Sequence, residues 1–164
     1  MSQSIKQVNH LKHLKNQDIN YIKWDNCINN AHNGIIYAFS WYLDIICDEW
    51  EAIVQGNYQA VMPLLVRKKS GIKCIYTTLL ANQLGIFSTQ IIDRNLVNSF
   101  LHKVYHTYKT FSVNLNKFNT VDSGLYRQKS LFTYEFDLIR NYKMIKDSYS
   151  DVTLKQIEEA KNQS

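Results

Sequence analysis

The sequence predicts a mixed α/β domain, built on a mostly antiparallel sheet with helices on its faces. Three stretches carry that prediction. Residues 92–108 place Leu96, Val97, Phe100, Leu101, Val104, Tyr105 and Tyr108 at spacings of three and four, the stripe of an amphipathic helix. Residues 50–78 read as strand, turn, strand, turn, strand, with Gln55-Gly56-Asn57-Tyr58 and Lys68-Lys69-Ser70-Gly71 as the turns. Residues 37–47 are apolar except at Ser40 and Asp44, the pattern of a helix buried nearly all round, with Trp41 in the core. A three-strand meander followed by a helical crossover and another strand implies a mixed sheet covered by helices.

Each element follows in order. Residues 7–14 are read as an edge strand, with a period that Val8, Leu11 and Leu14 leave open. Asn20 caps a helix running to about Ala31, with Tyr21, Trp24, Ile28 and Ala31 on one stripe, and Asn33-Gly34 breaks it. On the 37–47 helix Ser40 and Asp44 lie four apart, so one narrow face is left to meet water or a partner. Trp50–Val54, Tyr58–Val66 and Ile72–Thr78 are the strands of the meander. Leu84–Ser88 is a short segment before the 92–108 helix. Phe111–Leu115 and Leu131–Leu138 alternate as two further strands. After Tyr149-Ser150 a last helix puts Leu154, Ile157 and Ala160 on one side. Residues 1–148 read as a single domain and residues 149–164 as a terminal helix suited to joining a second one.

Composition narrows the function classes. The chain has 164 residues, 45% apolar and 20% charged, which is globular usage. Its net charge of +5 is modest and scattered, and its one dense cluster, Arg67-Lys68-Lys69, reads as a solvated turn. No aromatic-plus-basic RNA-binding signature or helix-turn-helix pattern stands out, so nucleic acid is not an expected partner. Cys27, Cys47 and Cys74 form no CxxC pair and read as buried free thiols of a reducing compartment. The opening MSQSIKQVNHLKHLK lacks the apolar core of a signal peptide, and no run reaches the ~20 apolar residues of a membrane span. These features place the chain in the cytoplasm.

Few residues carry visible chemistry. His102 and His106 have the i, i+4 spacing of metal ligands, but they lie off the apolar stripe beside Asn95, Asn98 and Ser99. With no carboxylate at helical spacing, they read as a solvated face, and no metal is expected. No GxSxG, GxxxxGK[ST] or GxGxxG occurs, and no Cys has a neighbouring His. Glu49 and Glu51 alternate with Trp50 and so point to the face opposite it, read as solvent. Asp44, on a nearly buried helix, must find a hydrogen-bond donor.

A family resemblance gives the fold more content. Trp24-Asp25 with Cys27-Ile28, then Tyr37-Ala38-Phe39-Ser40-Trp41-Tyr42-Leu43, Trp50, Ala60-Val61-Met62-Pro63-Leu64, Arg67-Lys68-Lys69 and Gln83-Leu84-Gly85-Ile86-Phe87-Ser88 resemble the N-terminal half of the FemAB-type and CelD-type acyltransferases. That group is a branch of the GNAT fold superfamily. Tyr149-Ser150 and the helix behind it are similar to the opening of the family's inter-domain element. The resemblance implies a GNAT-like mixed, mostly antiparallel sheet with helices on both faces. It also implies an acyl or aminoacyl transfer to an amine or hydroxyl. Acyl-CoA or aminoacyl-tRNA would be the donor only with a second domain present. The family's small-residue loop for the donor's pyrophosphate is replaced here by Asn82-Gln83-Leu84-Gly85-Ile86-Phe87, so this chain is expected to bind no cofactor alone. It would pair with a second GNAT-like domain or form a homo-oligomer. Arg67, Tyr76 and Gln83, polar tips beside apolar neighbours, are the candidate substrate-binding residues, and no catalytic residue is assigned. The alternative is a non-catalytic interaction or structural domain that keeps a degenerate form of the fold.

Overall fold

The computed structural model describes residues 10–122, 124, 126–135 and 139–162, arranged as two compact units, residues 1–126 and residues 127–164. The first unit is a mixed α/β structure. Its main sheet contains β1 (Leu11–Leu14), β2 (Glu51–Gln55), β3 (Ala60–Leu64) and β6 (Phe87–Ser88) in the order β1-β2-β3-β6, every neighbour antiparallel. Among the described residues a second sheet holds β4 (Val66–Lys69) and β5 (Ile72–Ile75). The expected 50–78 meander is therefore split between two sheets, and the strand expected over 58–66 changes sheet at Leu65.

Helices cover both faces of the main sheet. On one face α1 (Tyr21–Asn30) and α2 (Ser40–Ile46) bring Trp24, Cys27, Ile28 and Leu43 onto Ala52, Val54 and Val61. On the other, α3 (Arg94–Thr107) lays Leu96, Val97, Phe100, Leu101 and Val104 onto Ile53, Ala60, Met62 and Leu64. The strict alternation along β2 and β3 is what lets one sheet feed two cores. Local chemistry fixes the ends of these elements. Asn20 and Asp93 cap α1 and α3 by accepting from Lys23 N–H and Leu96 N–H. Ser70 and Gly71 both have positive φ, 50° and 79°, the backbone of a tight two-residue hairpin between β4 and β5.

Two expectations about the helical face are corrected. The 37–47 helix is a 3-10 turn, Ile36–Ala38, followed by a seven-residue helix, and it is not buried all round: Trp41 is 50% and Ile45 74% exposed. The reason lies in Ser40, which turns inward instead of meeting water. Its N–H and Oγ–H both donate to the Asp25 carboxylate of α1, at 2.8 and 2.6 Å. With that end tied down and Leu43 in the core, Trp41 and Ile45 are left on the outer side. Asp44 does find donors, accepting from Trp50 Nε1 at 2.7 Å and from the Tyr21 hydroxyl at 2.9 Å.

The remaining expectations divide. Strand β1 falls within the expected edge strand, whose residues 7–9 lie outside the described ones. Phe111–Leu115 forms no ladder and makes a parallel bridge at each end, to Ile75 and to Leu84. In the second unit, residues 131–135 form no strand and are exposed, while residues 136–138 of that expected strand lie outside the described residues. This unit holds α4 (Tyr142–Asp147), which the sequence reading did not foresee, and α5 (Asp151–Lys161), which it did. None of its described residues is buried.

Candidate functional site

Where β3 leaves the main sheet at Leu65 and continues as β4, the two sheets part. Pro63 stands at this point. The β2–β3 ladder runs through Pro63 opposite Ala52 without interruption, so its missing N–H falls on the side where β6, only two residues long, has already ended. The segment 111–115 crosses the opening. Ile75 N–H donates to Thr110 O and Ser112 N–H to Ile75 O at one end, and Leu84 N–H donates to Asn114 O at the other. Between these contacts lies a cavity of about 10 Å³, with Pro63, Leu65, Tyr76, Gly85, Val113 and Asn114 on its walls. That is room for one water molecule.

Two of the three sequence-selected residues meet here. The Arg67 guanidinium sits 5.0 Å from the centroid of the Tyr76 ring, a cation–π contact. Burial, and then the neighbouring Cys47, push the Tyr76 phenol above its ordinary pKa despite the opposing charge of Arg67, so the hydroxyl stays protonated at neutral pH. Tyr76 lines the cavity whereas Arg67 lies over the ring, outside the wall. Gln83 is half-buried in the loop before Leu84 and is not part of that wall.

The loop at Gly85, where a nucleotide pyrophosphate would need open backbone, is already filled. Gly85 has φ +93°, and a Cβ there would stand 2.2 Å from Asn119 Oδ1. Three buried asparagines hold this segment. Asn119 Oδ1 accepts from Ile86 N–H at 2.7 Å, while Asn33 and Asn119 donate to Ile86 O at 2.8 and 3.1 Å. Asn116 donates to Leu84 O at 2.9 Å. They satisfy backbone groups that a longer β6 would otherwise have paired. The N-terminus of α3 likewise carries its own anion, the capping Asp93 carboxylate. Phe87, the bulky residue at the end of the Gly85 loop, is fully buried in the core. A run of Asn at 114, 116 and 119 after an apolar alternation was the available signal.

A polar cluster was missed on the α3 face. Glu51 is buried, with its side chain 5% exposed, and is not on a solvent face. The alternation with Trp50 is right, but the face opposite Trp50 is covered by α3. Its carboxylate accepts from Lys73 Nζ and from His13 Nε2, each at 2.6 Å, and from the Tyr108 hydroxyl. Burial is the largest single influence on this carboxyl and favours the neutral acid. The bonds from Lys73, Tyr108 and His13 outweigh it together and hold the pKa below the ordinary carboxylate value. Conversely the bond to Glu51 lifts Lys73, and burial followed by the same bond lifts Tyr108 well above the phenol range. Four segments thus converge on one carboxylate: β1, β2, β5 and the residue closing α3. Lys73, His13 and Tyr108 each bond Glu51, and His13 Nε2 also stands 3.1 Å from the Tyr108 hydroxyl, an arrangement that fixes geometry more than it frees a proton.

The thiols offer no nucleophile. Cys27, Cys47 and Cys74 are free and buried, and burial pushes Cys27 up to about 11. Among the described residues no helix is long and apolar enough to cross a membrane. The chain matches no protein-family model, and no curated protein or solved structure is significantly similar to it.

Proposed function

We propose that the first unit is a GNAT-like acyltransferase module that supplies the acceptor side of an acyl or aminoacyl transfer and takes its donor from elsewhere. The observation that carries this reading is the parting of the two sheets at Leu65, which opens the sheet edge beside Tyr76 and under Arg67. The backbone at both ends of the opening is paired with segment 110–114, so what the gap offers a ligand is the side chain of Tyr76 on its wall with Arg67 over the ring. The FemAB-like residues 41–67 lead into the same place. With Asn119 and Asp93 occupying the positions a pyrophosphate would need, the donor, acyl-CoA or aminoacyl-tRNA, belongs to a second GNAT-like domain or a second copy. Tyr76 is held protonated, so it can donate to an acceptor but cannot take its proton. The base therefore comes with the donor half. Buried free thiols fit a cytoplasmic location.

A second reading, a non-catalytic interaction domain with a degenerate GNAT-like fold, draws on the cavity holding one water and on the fully engaged Glu51. Two titrations separate them. Calorimetry with acetyl-CoA should give no micromolar binding to the full chain; a micromolar isotherm would return the donor site to this unit. Amide NMR with millimolar free lysine or glucosamine, soluble amines of the acceptor class, should move resonances of Tyr76, Thr77, Leu84 and Val113. Silence there would leave the interaction reading standing.

A further inference from the structure

We propose that His102 and His106 form a surface chelate for a divalent metal ion of the nickel and copper class. Spacing alone made this pair a solvated helix face; the geometry adds what spacing lacked. The two Nε2 atoms are 3.0 Å apart, within hydrogen-bond distance of each other, in rings whose centroids are 4.2 Å apart and whose planes are inclined at 65°. Both nitrogens are close enough for one ion to take the place of the contact between them.

The ligand set narrows the metal. With imidazole–metal bonds of about 2.05 Å, half of the 3.0 Å separation over that length is the sine of half the N–metal–N angle. The angle comes to about 94°, near the right angle of square-planar and octahedral ions. His106 lies in the last turn of α3, where the negative end of the helix dipole favours a cation, and Tyr105 packs edge-on against its ring. No group of three His, Cys, Asp or Glu suited to a metal occurs among the described residues, so water completes the coordination. A nitrogen-and-water set does not suit calcium or magnesium, which take oxygen ligands. The three thiols, which would compete for such ions, are buried.

The test is calorimetric titration of the full chain, prepared without an affinity tag, with nickel chloride near neutral pH. One ion per chain is expected. His102→Ala or His106→Ala should each weaken binding at least tenfold, and the double variant should abolish it. His32→Ala, on another exposed histidine, should change nothing. Both chelating side chains are exposed on a helix, so far-UV dichroism of the variants should match the parent. Copper(II) bound to the parent should show hyperfine coupling to two imidazole nitrogens, and to one in each single variant. Failure of the parent to bind nickel, equal affinity in the double variant, or zinc bound as tightly as nickel would each overturn the assignment.

Discussion

Replacing Glu51 by Gln tests whether the α3 face is held by one ionised carboxylate. The amide keeps the shape, but it brings two N–H groups among three donors and removes the charge they share. Hydrogen bonds to a charged group contribute about 1.5–3 kcal/mol each when buried. The Lys73 side chain is 41% exposed, so its bond is screened by water and counts for at most about 1 kcal/mol. The Tyr108 and His13 bonds are drier, and an amide retains part of each. The expected loss is about 2–4 kcal/mol in urea unfolding at pH 7, followed by tryptophan fluorescence. A loss under about 1 kcal/mol would mean that the carboxylate is not the anchor described.

The pH dependence supplies a sharper arm. The Glu51 pKa in the folded chain is held below the ordinary 4.5, so acidification protonates the unfolded chain first. The stability Glu51 contributes is complete above pH ~5 and is lost as the pH falls through its lower folded value. The gap between parent and Glu51→Gln should therefore be constant near neutrality and close in acid. At the alkaline end Lys73, raised above 10.5 by Glu51, loses its contribution as pH rises through the raised value; Glu51→Gln should lack that loss. A gap that widens on acidification would refute the linkage.

Three further outcomes are expected. Trp24→Ala should cost about 3–5 kcal/mol because Trp24 is fully buried, while half-exposed Trp41→Ala should cost less than about 1.5 kcal/mol in the same urea titration; the reverse order would restore the all-round buried helix. Gly85→Ala should lose about 2–4 kcal/mol, since φ +93° is strained for Ala and the new methyl meets Asn119, and Asn119→Ala should not rescue it. Asp44→Ala should cost about 1–3 kcal/mol and shift the emission of Trp50, whose indole N–H loses its acceptor; unchanged emission would place that bond elsewhere.

The parts of the fold that were legible are those set by local periodicity. The α3 stripe, the Asn20 cap, the Ser70-Gly71 hairpin and the alternation along β2 all depend on residues within a few positions of one another. What was not legible depends on which surface covers which. Glu51 and Trp50 do point to opposite faces, yet no local pattern states that α3 closes the face opposite Trp50. Ser40, four residues from Asp44, was left on a face open to water or a partner, while its acceptor, Asp25, lies fifteen residues earlier on another helix. At the candidate site Arg67 and Tyr76 were legible as polar tips on strands. Asn119 was not, because it reaches Ile86 from thirty-three residues away.

The hidden contacts also tie the core to the candidate site. Lys73 belongs to β5, in the small sheet, and Glu51 to β2, in the large one, so their bond is a side-chain link across the two sheets that part at Leu65. Tyr76 follows β5 directly, and its ring position therefore depends on where β5 is held relative to β2. The backbone bond from Tyr76 N–H to Leu65 O fixes only the near end of the opening. A carboxylate with all its donors engaged makes a poor general base, but it suits a spacer that keeps two sheets at a set separation. Loss of Glu51 should then be felt at Tyr76 before the chain unfolds, whereas a purely local role would leave the Tyr76 amide resonance where it is in the parent.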